Sequence, residues 1–295
     1  MSQPSAPQGE QWTILRLLDW TTRFFESKDI DTARLDAELL LAHALECRRI
    51  DLYARYDQVP TGEPLAQFRE MVRARGQRVP AKYLVGTSEF YSLTFDVGPS
   101  VLVPRPETEF LVERALELMA PDADITVADL GTGTGAIAIA LATQRPQAHI
   151  VATDLSPDAL AVAKANAQRH EVTDRVEFRE GSWFQAFEPA SAFDVIASNP
   201  PYVADHELAN AMPEVRDHEP RLALEAGTDG LDALRVLVPG AAAWLVPGGW
   251  LIVEIGAGQA KAVTDLAEAT GDYDAIAVAP DFQGIDRVVS MQTKR

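Results

Sequence analysis

The sequence predicts an α/β protein whose mostly parallel sheet is covered by helices and preceded by a smaller all-helical region. Three observations carry this. From about residue 125, runs rich in β-branched residues alternate with helix-like segments, the pattern of strands joined by crossover helices. Before about residue 78, apolar residues recur at helical spacing instead. Charge also shifts between the two: residues 1–80 hold 11 basic and 12 acidic side chains, whereas the rest of the chain holds 15 and 32. The expected organisation is a helical domain over 1–80, a β-hairpin linker over 81–104 and an α/β domain over 105–295.

The helical region opens near residue 12. In DTARLDAELLLAHAL, Leu35, Leu39, Leu40 and His43 fall at helical spacing, with Asp31 or Thr32 placed to cap the start. Pro60, Thr61 and Gly62 mark a turn, and EPLAQFREMVRARGQ resumes the helical pattern as far as Gly76. Arg69, Arg73, Arg75 and Arg78 form a local basic group, read either as a solvated helix end or as a partner contact. KYLVGTSEFYSLTFDVGPSVLVPRP, broken by Gly86, Gly98 and Pro99, predicts a pair of short strands; Pro104 and Pro106 stop it before a helix over 107–118. The alternating region then offers ITVADL, HIVATD, RVEFRE, FDVIASN and GGWLIVEI as strands, with helices such as AIAIALATQ and PDALAVAKANAQ between them. DAIAVAP and DRVVSMQ, separated by a short loop around Gly284, predict an antiparallel finish.

Bulk properties narrow the function classes. A net charge of −18 repels phosphate backbones, so direct nucleic-acid binding is disfavoured. The single Cys47 excludes an internal disulfide and reads as a core residue. MSQPSAPQGEQ lacks the basic and apolar parts of a secretory leader, and the most apolar stretch, 241–255, is interrupted by Pro247-Gly248-Gly249. A cytoplasmic monomer without membrane contact is expected, and no metal site is expected.

Two motifs carry chemistry. In VADLGTGTGAIAIALA, Gly131, Gly133 and Gly135 follow a strand and open a helix, which allows close backbone approach to a ligand. Asp154 ends the next strand, 19 residues beyond Gly135, where an acidic residue accepts ribose hydroxyls in dinucleotide-type folds. Ala136-Ile137 after Gly135 excludes a phosphate-binding P-loop. S-adenosyl-L-methionine, a ribose-bearing sulfonium without a pyrophosphate, satisfies these features, and NAD remains open on them alone. Thr132 and Thr134 supply hydroxyls to the loop or merely fill it. Trp183 is placed to cover an adenine face or to serve packing, and Asp129 either steadies the loop or takes the cofactor's amino group.

The second motif is Asn199-Pro200-Pro201-Tyr202, at the end of FDVIAS. Pro200 forces Asn199 into an extended conformation, and two prolines fix the backbone without adding N–H donors. The outcome is a rigid acceptor pair, the Asn199 side-chain oxygen and the Pro200 carbonyl, beside an aromatic wall, Tyr202. Such a pair suits a planar NH₂ group. Two hydrogen bonds would orient that weak nucleophile and stabilise charge as it develops.

Taken together, Gly131 to Gly135 and Asn199 to Tyr202 resemble the amino-methyltransferases of the class I, seven-strand, S-adenosylmethionine-dependent type. Residues 36–57, YLVGTSEFYSLTFDV, residues 101–113 with Pro104-Arg105-Pro106-Glu107-Thr108-Glu109, and EPRLALEAGTDGLDALR resemble the release factor glutamine methyltransferase family. That resemblance covers almost the whole chain. It implies a Rossmann-like domain of seven strands and methylation of the glutamine amide in the Gly-Gly-Gln loop of class 1 peptide-chain release factors. It also implies S-adenosyl-L-homocysteine as product and release-factor recognition by the helical domain. By the same resemblance the cofactor is held by Gly131, Thr132, Gly133, Thr134, Gly135, Asp154, Trp183 and Asn199. The substrate amide is held by Asn199, Pro200, Pro201 and Tyr202, of which Asn199, Pro200 and Tyr202 serve catalysis. Arg105 to Glu109 shape the rim. Ser182 stands where the family commonly has Asp, and Ala226 where it has one of two glycines.

Overall fold

The computed structural model describes residues 11–188 and 191–295, in two compact units, the first ending at Gly86 and the second beginning at Thr87. Residues 1–10, which carry nearly all of the stretch read above for a leader, lie outside the described residues.

The first unit is helical: α1 (Ile14–Glu26), α2 (Ala33–Ala44), α3 (Arg49–Ala54), α4 (Gly62–Arg75) and α5 (Ala81–Val85). Its core gathers Leu18, Phe25, Leu40, Leu41, Leu52 and Phe68. The face expected for α2 needs correction. Leu35 is 40% exposed, and the buried side is carried by Ala33, Ala37, Leu40, Leu41 and Ala44, whose small members allow close helix approach. Thr32 occupies the N-cap position, but its hydroxyl donates to Asp36 rather than capping the backbone.

Of the basic group read over 69–78, Arg69 and Arg73 stay exposed on α4, whereas Arg75 and Arg78 are drawn into the fold. Arg75 turns inward onto Asp36 at 2.7 Å, both side chains being buried. Arg78 donates to the carbonyls of Lys28 and Asp29, and Arg73 pairs with Glu70 on its own helix. A count of cations says nothing of which ones the fold consumes. Buried Glu38 likewise gathers Arg34, Arg49 and the Tyr53 hydroxyl. Cys47 packs partly buried against this core, and burial pushes its thiol pKa up. The linker also departs from expectation at its start. Residues 81–85 are helical, the Pro80 carbonyl receiving the N–H groups of Tyr83 and Leu84, until Gly86 turns left-handed at φ 80°.

The second unit begins with a hairpin, β1 (Thr87–Phe90) and β2 (Leu93–Asp96), then α6 (Thr108–Leu118). The sheet follows: β3 (Thr126–Leu130), α7 (Ala136–Gln144), β4 (His149–Asp154), α8 (Pro157–Arg169), β5 (Val176–Glu180) and β6 (Phe193–Ser198). Short helices α9 (Asp205–Asn210) and α10 (Pro213–His218) lead to α11 (Asp232–Ala241) and β7 (Leu245–Glu254). The chain then continues through α12 (Ala260–Thr270), β8 (Tyr273–Pro280) and β9 (Asp286–Thr293). The strand order is β5-β4-β3-β6-β7-β9-β8, parallel except at β9, which runs antiparallel to both of its neighbours. This is the seven-strand, mostly parallel sheet of class I S-adenosylmethionine-dependent methyltransferases.

Alternation along the strands divides the core. Val127 and Ile252 face a cluster with α6 and α7, whereas Ala128, Leu251 and Val253 face one with α11 and α12. From β3 the chain winds outward through β4 and β5, then returns to β6 on the other side of β3. Ligands in open α/β sheets bind at such a reversal, outside the carboxyl ends of the strands. Here those ends belong to β3 and β6. Among the described residues, no helix is long and apolar enough to cross a membrane, and no group of three His, Cys, Asp or Glu is placed to hold a metal.

Candidate active site

A cavity of about 590 Å³ opens at this reversal, within the range of small-molecule sites. Its walls bring together Gly131 to Thr134, Asp154, Ser182, Trp183, Asn199 and Pro201. Gly135 stands behind the wall as N-cap of α7, and Pro200 is buried.

The glycine loop is built from backbone. Gly133, at φ 55°, faces open space where a Cβ would sit, so a ligand can approach its main chain. Gly135, at φ 82°, is needed for a different reason: a Cβ there would stand 2.9 Å from Ile139 and 3.3 Å from Ala163, where α7 and α8 pack. Asp129, at 0% exposure, accepts from the Thr132 hydroxyl at 2.6 Å and from the Ala138 N–H at 3.2 Å. Burial raises its pKa from an ordinary 3.8 to about 7, and its Oδ1 has no partner among the described residues. Thr132 is thereby committed to Asp129, while the Thr134 carbonyl accepts from the buried Asn166 amide, which also bonds Asp96 of β2. The hairpin is thus tied to the loop through one residue of α8.

Asp154 accepts from the Gly133 N–H and the Ser156 N–H, each at 2.9 Å, one on each oxygen. Burial raises its pKa. The carboxylate keeps acceptor capacity beyond its backbone donors at the cavity wall, which suits a vicinal diol. Trp183, held at φ 48°, stands 3.6 Å from the Cβ position of Gly131. Ala226 lies in a buried turn, its N–H donating to Val203, and has no positive φ, so the missing glycine costs the backbone nothing there.

On the other side, side chains do the positioning. Asn199 Nδ2 donates to Thr108 Oγ1 at 2.9 Å, which leaves Oδ1 as the amide atom available to the cavity. The Tyr202 hydroxyl donates to Glu254 Oε1 at 3.2 Å, and the Gln259 side chain donates to the Tyr202 carbonyl at 3.0 Å. Burial raises the Tyr202 pKa, so its phenol stays neutral and is no base. Arg105, on the rim, pairs with buried Glu219 and so joins the segment before α6 to the segment after α10. Sequence reasoning assigned Thr108 no individual role and passed over Glu254 and Gln259. Glu254 did leave a signal, as the lone acid at the end of the apolar run GGWLIVEI.

Known proteins share this organisation. Residues 16–86 match the family profile described as the PrmC N-terminal domain, and residues 121–226 match a methyltransferase domain. A release factor glutamine methyltransferase of Geobacter sulfurreducens is 47% identical over 280 residues, covering 95% of this chain and 96% of its own length. One of Rhodopirellula baltica is 44% identical over 285 residues, with the same two coverages. A crystal structure of a methyltransferase from Pyrococcus furiosus overlays with a TM-score of 0.52 at 15% identity, over 77% of this chain and 98% of its own, and shares the fold.

Proposed function

The chain belongs to the release factor glutamine methyltransferase family, and from that premise we propose that it methylates the side-chain amide nitrogen of the glutamine in a Gly-Gly-Gln loop of a class 1 peptide-chain release factor. S-adenosyl-L-methionine, when bound, supplies an electrophilic methyl and leaves as S-adenosyl-L-homocysteine. The residues present suit it: an open backbone loop at Gly131 to Gly135, the diol-ready carboxylate of Asp154, the indole of Trp183 and the free amide oxygen of Asn199. Ser182, on the same wall, offers a hydroxyl where the family's Asp would offer a carboxylate.

The observation that carries the reading is the commitment of Asn199 Nδ2 to Thr108. It turns an acceptor, Asn199 Oδ1, to the same cavity that the glycine loop lines. With the Pro200 carbonyl it accepts both protons of a planar amide, fixing the nitrogen towards the glycine-loop side. Pro201 and Tyr202 hold that geometry rigid. No strong base is required, because an amide nitrogen that gains a substituent becomes acidic and sheds its proton to water.

In this reading residues 1–80 grip the release factor, 81–104 connect, and 105–295 carry out transfer, in a monomer working in the cytoplasm. The net charge of −18 favours a protein over a nucleic acid as partner. Incubation with methyl-labelled S-adenosyl-L-methionine and either a release factor or duplex DNA tests it. Label on the Gly-Gly-Gln glutamine is expected; label on DNA, or on neither, refutes it.

A further inference from the structure

Asn and its flipped amide are nearly the same shape, so an acceptor role for Asn199 needs something that forbids the flip. The structure places a candidate directly beneath it. Ser198, the last residue of β6, pairs with Val253 of β7; Asn199 follows the one and Glu254 the other. Thr108, the first residue of α6, is buried beside both. We propose that the Thr108–Glu254 pair is a positioning device that sets the polarity of the Asn199 amide, rather than a packing contact. The inference rests on the amide-holding role given to Asn199 above.

The direction of each hydrogen bond follows from the end of the chain. An ionised carboxylate only accepts. Tyr202 donates to Glu254 Oε1, Oε2 is buried with no hydrogen-bond partner among the described residues, and the adjacent Thr108 hydroxyl favours the negative charge. The one Thr108 proton is therefore drawn to Glu254, which leaves its oxygen free to accept only from an N–H. Asn199 Nδ2 fills that place at 2.9 Å, so Oδ1 must face the cavity. A flipped amide would claim the Thr108 proton for itself and strip the buried carboxylate of a donor.

Protonation of Glu254 removes the constraint, since a carboxylic acid can donate to Thr108 and release the hydroxyl proton towards Asn199. The groups facing Glu254 are Thr108 and Glu107 at the start of α6, Tyr202 after β6 and Arg287 on β9. Tyr202, Thr108 and Arg287 favour the ion, whereas burial and Glu107 oppose it, and the balance brings the carboxyl to about 7. Turnover should therefore rise with pH through neutrality as the amide becomes locked.

The test uses the full chain with a release factor, measuring kcat, KM, the pH profile of kcat and cofactor Kd by calorimetry. Thr108→Val should lower kcat roughly ten- to a hundred-fold with cofactor Kd within about two-fold, and Thr108→Ser should restore most of it. Glu254→Gln should lower kcat and remove its rise around neutrality. Wild-type kcat in Thr108→Val, equal impairment of Thr108→Ser, or a retained rise in Glu254→Gln overturns the inference. Should Thr108→Val fail to fold, Thr108→Ser and the Glu254→Gln pH profile still decide it. Asn199→Ala in the same series separates the two levels. If it alone is inactive, only the positioning role fails; if it is fully active, the amide-holding role fails as well.

Discussion

The two halves of the cavity are held in opposite ways. The glycine-loop half is shaped by backbone, with left-handed glycines and N–H groups tied to Asp129 and Asp154. The Asn199 half is shaped by side chains, through Thr108, Glu254, Tyr202 and Gln259. Each half rests on a fully buried carboxyl at or near the end of a strand, Asp129 on β3 and Glu254 on β7. The difference teaches where single substitutions act: backbone-built geometry resists side-chain change, whereas a side-chain relay fails at any link.

The sharpest break is therefore expected in the relay half. Asn199→Ala should reduce methyl transfer roughly 10²–10³-fold, followed with labelled cofactor, while thermal unfolding stays near wild type. In the other half, Asp154→Ala should weaken cofactor binding by about 1.5–3 kcal/mol in calorimetry, because it removes charged acceptors and frees the Gly133 N–H.

Next in size is a pH effect common to both halves. Asp129 and Glu254 are raised from 3.8 and 4.5 to about 7, so between those values the folded chain binds more protons than the unfolded one. Stability should then fall as pH rises through this window, read as a declining midpoint in urea unfolding. Asp129→Asn and Glu254→Gln should each flatten the slope. Lowered carboxyls such as Asp217, Asp229 and Asp281 act oppositely and in a separate window, losing their contribution as pH falls below about 4. Smaller again, Gly135→Ala should cost about 1–2 kcal/mol of stability from its positive φ and the Ile139 contact, read by denaturant unfolding.

Legibility in the sequence followed the range of the physics involved. HIVATD and AIAIALATQ are a strand and a helix over those very residues, and the glycine loop meets Asn199 in one cavity, because strand, turn and proline signals act locally. The apolar, strand-favouring character of Tyr83, Leu84 and Val85 points to extended backbone, but the helical start at Pro80 prevails. Leu35 and Arg75 exchanged the roles expected of them, one exposed and one buried. Periodicity cannot show which face of a thoroughly packed helix meets a neighbour, nor that a carboxylate waits inside. Thr108 and Glu254 lie far apart in sequence, and only the meeting of α6 with the sheet makes them one group.

The placement of β9 between β7 and β8 bears on how the site comes into being during synthesis. Until residues 286–293 leave the ribosome, β7 and β8 present bare edges to each other, and the shell around Glu254 lacks Arg287. The glycine loop's own hydrogen bonds come from β3, β4 and the helices α7 and α8, all made much earlier. A nascent chain can thus assemble the loop half of its cavity long before the relay half, whose buried carboxyl gains its Arg287 neighbour only with β9.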